Sequence, residues 1–329
     1  MRCPVRLSTL AVALALLASG CGATAEDPAR AVEPDAATAR AEDFPQPRRG
    51  ETLAELQSGM PKGPILTPSV SLLEKGRNRV GFALFDAART QLSGAQVALY
   101  TARPDGTGVR GPFVAWSESL AVKAAFASRT TTQDPDAAKS VYVSEVPFTR
   151  SGPVTVTAFV RLDGRVMTTG PETMTVGSRG ATPPGVGDRA ISVDTETVAS
   201  AGGDLARIDT RLPPAPELHR ENLRDVLTKK PVVLVFATPQ LCQTRVCGPV
   251  VDVALQVKAT IGDKAAVIHQ EVFKDNKVER GVRPPLGAWR LATEPWTFVI
   301  DRKGIVRSRF EGALSVEELR RAVDAVTAG

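Results

Sequence analysis

The chain has 329 residues, of which 43% are hydrophobic and 23% charged, the composition of a globular protein long enough for about two domains. The formal net charge is +5, but the lysines and arginines are scattered and only 5% of residues are aromatic. No basic block with interleaved aromatics exists, so nucleic-acid binding has no support.

The opening stretch "MRCPVRLSTLAVALALLASGC" combines a basic start (Arg2, Arg6), an apolar run from Leu10 to Leu17, and the small residues Ala18, Ser19 and Gly20 directly before Cys21. This is the pattern of a secretory signal over residues 1–20, too short for a spanning helix. Small residues ending at a cysteine resemble the lipobox of bacterial lipoproteins, although Ala18 stands where leucine is usual. The resemblance implies cleavage before Cys21 and a lipid on its sulfur, which would anchor the mature protein at a membrane on the bacterial cell surface or periplasmic side. An ordinary cleaved signal with an incidental cysteine is the alternative. Either way the mature protein is expected outside the cytoplasm, where disulfides persist. Of the four cysteines, Cys3 leaves with the signal and Cys21 would carry lipid, so Cys242 and Cys247 remain as partners.

Residues 21–62 are rich in Ala, Pro, Asp, Glu and Arg with little apolar periodicity and read as a flexible tether. From 63 to 178 short β-prone runs follow one another: "RVGFALFD", "AQVALYTA", "SVYVSEVPF", "PVTVTAFVRL" and "ETMTVG". Val154, Val156, Ala158 and Val160 alternate, and Asp163-Gly164 is a hairpin signal. Such a series predicts an immunoglobulin-like β-sandwich. It lacks the two inter-sheet cysteines of antibody domains and carries no evident site, so its expected role is spacing or partner docking. The Gly/Pro-rich residues 179–189 read as a linker.

Residues 190–329 alternate strand and helix signals. Glu217 to Leu227 is helix-like. "PVVLVFAT" and "AAVIHQEVF" are apolar runs expected of strands covered on both faces. Between them Val250, Val253, Ala254, Val257 and Ile261 recur at helical spacing after the cysteines. "WTFVIDRKGIVRSRFEG" reads as a hairpin turning at Asp301 to Gly304. Ser315 and Glu318 fit a capping box before the apolar stripe Val316, Leu319, Val323 and Val326.

This order resembles the thioredoxin/redoxin superfamily, as a variant with four residues between its cysteines. The features that carry the resemblance are "PVVLVFAT" ending just before the cysteines, the cysteines opening the long helix, Pro295 before "WTFVID", and the final hairpin ending at Gly312. It implies an α/β thioredoxin-like domain, which with the all-β immunoglobulin-like sandwich before it makes a two-domain chain. It also implies thiol–disulfide exchange with protein partners, Cys242 attacking and Cys247 resolving. Pro295, matching the family's cis-proline, with Glu294 beside it, would contact an extended substrate segment. No cofactor and no metal ligand is assigned.

A helix N-terminus supports this chemistry, because its free N–H groups stabilise a thiolate. Yet five positions apart on a regular helix two side chains diverge by about 140°. Pairing therefore requires Cys242 in the loop before the helix, with Cα atoms within about 7 Å. Arg245 is a candidate cation beside the thiolate. Two alternatives stay open. One is a non-catalytic binding or scaffold lipoprotein with a static disulfide. The other is a copper protein of the Sco type, since soft thiolates suit Cu(I). The chain has only two histidines. His219 is expected on the surface and His269 within an apolar strand. Peroxiredoxin chemistry does not fit, because Thr238 stands four residues before Cys242 rather than three.

Overall fold

The strands β1 (Ile65–Pro68), β2 (Gly76–Phe85), β3 (Gln91–Leu92), β4 (Gln96–Ala102), β5 (Arg110–Ser119), β6 (Ser140–Phe148), β7 (Gly152–Leu162), β8 (Arg165–Thr168) and β9 (Glu172–Val176) join into one sheet. Its order is β1-β2-β6-β5-β4-β7-β8, with β3 beside β2 and β9 beside β7, and every pair is antiparallel. The computed structural model describes residues 1, 39–178 and 180–328, and from 39 onward these belong to one compact unit. The signal segment and Cys21 lie outside the described residues. Among the described residues no helix is long and apolar enough to cross a membrane.

Sequence chemistry sets the sheet's local geometry. Asp163 and Gly164 take φ of 48° and 76°, the doubly positive conformation of a two-residue hairpin, and Leu162 pairs with Arg165 across them. Strand alternation then separates the two faces. Phe82 of β2 and Tyr142 of β6 on one side of β5, and Leu99 of β4 and Val156 of β7 on its other side, share one apolar cluster, so the sheet curls over its own inner face. On the outer face Ala98, Tyr100 and Phe159 pack with Phe44 and Leu56, residues of the segment before β1, and the Tyr100 hydroxyl donates to the Pro45 carbonyl at 2.7 Å. Leu53 and Leu56, both buried, lie on the short helix α1 (Leu53–Leu56).

The remaining elements are α2 (Arg129–Thr132), between β5 and β6; then α3 (Leu223–Val226), β10 (Val232–Phe236), α4 (Cys247–Ile261), β11 (Ala266–Gln270), α5 (Pro284–Ala288), β12 (Trp296–Ile300), β13 (Val306–Glu311) and α6 (Val316–Thr327). The second sheet has the order β11-β10-β12-β13. Only β10 and β11 run parallel. Every residue of β10, β11 and β12 is buried. Val141 and Val143, on the face of β6 opposite Tyr142, join the apolar cluster of α4 and α6 with Val250, Val253 and Leu319. Arg79 of β2 pairs with Glu318 of α6, and Ser71 donates to Glu311 at 2.6 Å. The two sheets are thus packed into one body.

Two expectations are corrected. The β-rich residues do not form an immunoglobulin-like sandwich, because all nine strands belong to one curled sheet rather than two stacked ones. The expected α/β thioredoxin-like domain is corrected to part of a mainly β molecule. Of the six α-helices among the described residues only α4 and α6 exceed five residues, and their apolar faces share a core with β6 of the large sheet.

Candidate functional site

The cysteines lie where β10 gives way to α4. Cys242 sits in the intervening loop and Cys247 is the first residue of the helix. Arg245 adopts φ of 60°, the left-handed conformation that turns the loop back toward the helix. Val246, the residue capping α4, offers no side-chain acceptor to the free N–H groups of the first turn. The Cys242 sulfur lies close enough for the backbone N–H groups of Val246 and Cys247 to favour its thiolate. Pro249, in the same first turn, has no N–H to satisfy.

This arrangement drives the two thiols apart. Cys242 is lowered from the ordinary 9.0 to about 6. The hydrogen bond from the Cys247 thiol contributes most; burial opposes it, and Thr244 and the two amides assist. The Thr244 hydroxyl is 3.2 Å from the Cys242 sulfur. Cys247 is pushed well above its ordinary value, first by complete burial and then by the bond to Cys242 and that residue's charge, with the Thr238 amide working against them. Both cysteines are free thiols. Cys242 retains 7% of its surface against 0% for Cys247, and it lines a cavity of 530 Å³.

The connection between β5 and β6 builds one wall of that cavity. Arg129 and Asp134 from this segment line it together with Leu212, Gln240 and Arg245. Helix α2 packs so closely on the start of α4 that a Cβ on Gly248 would stand 2.9 Å from the Thr131 hydroxyl. The buried Asp252 of α4 receives Ser128 N and Oγ, each at 3.0 Å, and pairs with Arg211 at 2.8 Å. Arg245 is engaged with Asp134 at 3.0 Å, more than half exposed. It is not among the groups that lower Cys242.

Glu294, expected as a substrate contact, lies close enough for its charge to act on both sulfurs. Burial first, then the charges of Cys242 and Glu271, raise its carboxyl. The Glu294–Pro295 peptide is cis, and the Pro295 carbonyl accepts the Gly312 N–H at 2.9 Å. His219, expected on the surface, is fully buried beside His269, with ring centroids 5.2 Å apart. Sequence reading missed Thr244, Asp252, Arg211 and Asp209. The signal for the last was the chain's only two histidines, which the fold gathers around it.

No family model matches the chain, and no curated protein matches it. Among solved structures it is similar to that of a DUF4784 family protein from Bacteroides caccae ATCC 43185, at 12% identity over 38% of this chain and 26% of that one. The TM-score of 0.20 gives that similarity no weight for fold or function.

Proposed function

We propose that the chain is an extracytoplasmic thiol–disulfide exchange protein, anchored through lipid on Cys21, that acts on protein partners through Cys242 and Cys247. The supporting observation is the opposed displacement of two neighbouring thiols at one helix start, the lowered one lining a cavity. Near neutral pH Cys242 is a thiolate, the nucleophilic form. It attacks one sulfur of a partner disulfide, forming a mixed disulfide and expelling the other partner sulfur as thiolate, which solvent protonates. Capping the Cys242 charge removes one cause of the high Cys247 pKa. Cys247 then loses its proton and attacks the Cys242 sulfur, and the second partner thiolate leaves with that proton. Two electrons and one proton pass from the pair to the partner, the second proton coming from solvent, and the reverse sequence oxidises a dithiol partner. The β5–β6 connection supplies a polar wall against which an extended partner segment would lie.

Insulin-disulfide reduction driven by dithiothreitol tests this reading. The wild-type chain accelerates the reaction, and Cys242→Ser abolishes the acceleration. Equal rates with wild-type protein and Cys242→Ser remove the proposed nucleophile.

A further inference from the structure

Behind the cysteine loop lie three residues with no role in that chemistry. Asp209, His219 and His269 are 2%, 0% and 0% exposed. His269 comes from β11, and His219 from the stretch before α3. His269 Nε2 is 3.0 Å from the Ala237 carbonyl, and His219 Nδ1 is 3.4 Å from the Glu196 carbonyl. A carbonyl only accepts, so these two nitrogens carry the hydrogens. In a neutral imidazole the opposite nitrogen then presents a lone pair. Both lone pairs face the same carboxylate. His219 Nε2 is 3.3 Å from Asp209 Oδ2, and His269 Nδ1 is 3.6 Å from Asp209 Oδ1. Neither nitrogen has a hydrogen-bond partner, although both are buried.

With both imidazoles neutral, three electron-pair donors converge without a proton donor between them, all within 4.8 Å of one another. The carboxylate is fixed in place by the Arg211 N–H on Oδ1 and the Ala215 N–H on Oδ2, each at 2.8 Å. Unpaired buried acceptors are costly, and a cation at their centre converts the conflict into coordination. Separations of 3.3 and 3.6 Å are close to the edge of a tetrahedron whose metal–ligand bonds are about 2.0–2.1 Å. A backbone carbonyl on the far imidazole nitrogen is the arrangement that orients metal-bound histidines.

We propose that Asp209, His219 and His269 supply three ligands to one divalent first-row metal ion, with zinc fitting their tetrahedral spacing and water as the fourth ligand. The ion would lock the base of the cysteine loop. Ala237, the carbonyl partner of His269, lies five residues before Cys242, and Thr210, next to Asp209, accepts the Gln240 N–H at 3.2 Å. The site uses neither cysteine.

The test uses the full chain, both as wild type and with Cys242 and Cys247 replaced by Ser. Each is unfolded with chelator, refolded with Co²⁺, and assayed for bound cobalt and visible absorption. The proposal predicts one cobalt per chain in both forms, tetrahedral ligand-field bands without thiolate charge transfer, and displacement by Zn²⁺ with a rise in thermal midpoint. His219→Asn and His269→Asn should each abolish loading. Native circular dichroism with substoichiometric metal in the wild-type chain overturns the proposal. So does loading that disappears with the cysteines, or that persists in both histidine variants. Should the histidine variants not fold, the cobalt content and spectrum of the two cysteine forms decide the question alone.

Discussion

Replacing Cys247 by Ala removes the largest single cause of the lowered Cys242 pKa, the hydrogen bond between the two sulfurs. A displacement from 9.0 to about 6 favours the Cys242 thiolate by about 4 kcal/mol. A hydrogen bond to a charged group contributes about 1.5–3 kcal/mol. Its loss should therefore raise Cys242 to about 7–8, with the amides of Val246 and Cys247 and the Thr244 hydroxyl holding the remainder. Cys247→Ser keeps a donor at that position and should leave Cys242 near 6. The pH dependence of iodoacetamide alkylation, with thiolate absorbance in the ultraviolet as a second readout, measures both variants. The same displacement carries a stability signature in the reduced protein. The contribution of Cys242 is complete above the unfolded value of 9 and disappears as the pH falls through about 6. That of Cys247, raised by burial, has the opposite sense and is lost as the pH rises. A Cys242 that titrates near 9 in Cys247→Ser, or that is equally acidic in Cys247→Ala and Cys247→Ser, would refute the reasoning.

Three further outcomes follow from neighbouring contacts. Asp252→Ala leaves Arg211 buried and unpaired, so urea unfolding should register a loss of about 3–5 kcal/mol, and a change near zero would mean the pair bears little of the α2–α4 packing. Gly312→Ala combines φ of 77° with a Cβ that collides with the Ser69 carbonyl oxygen; a destabilisation above about 1 kcal/mol is expected, and an unchanged unfolding midpoint would contradict it. Glu294→Gln removes a negative charge that raises Cys247, so the pH profile for closure of a preformed Cys242–glutathione adduct should move to lower pH; an upward or absent shift would contradict the placement of Glu294.

Alternation and turn chemistry made the individual strands legible. Val154 to Val160 and the Asp163-Gly164 pair mark β7, its turn and the start of β8. They carry no information on which strands close the core, because inward-facing residues alternate identically in a stacked sandwich and in a curled sheet. Only long-range pairing, such as β4 with β7 and β2 with β6, distinguishes the two. The α/β expectation failed for a related reason. Apolar runs located β10, β11 and β12, but nothing local to them announced that Val141 and Val143 of β6 would complete the core of α4. At the site, Cys242 and Cys247 were visible as chemistry and as a spacing that places one of them before the helix. Asp209, Asp252 and Glu271 were not, since a lone acid in a loop or helix reads as solvated until the fold buries it. His219 misled for the same reason: the helix signal around Glu217 to Leu227 breaks into short turns that carry it inward.

Trapping of mixed disulfides in extracts tests the central claim most directly. With Cys247→Ser the resolving sulfur is gone, and the account predicts reductant-sensitive adducts between Cys242 and partner proteins, resolved by non-reducing electrophoresis. The companion Cys242→Ser should form none. Adducts equally abundant in the two variants, or absent from both, would contradict a reactive thiolate at the start of α4.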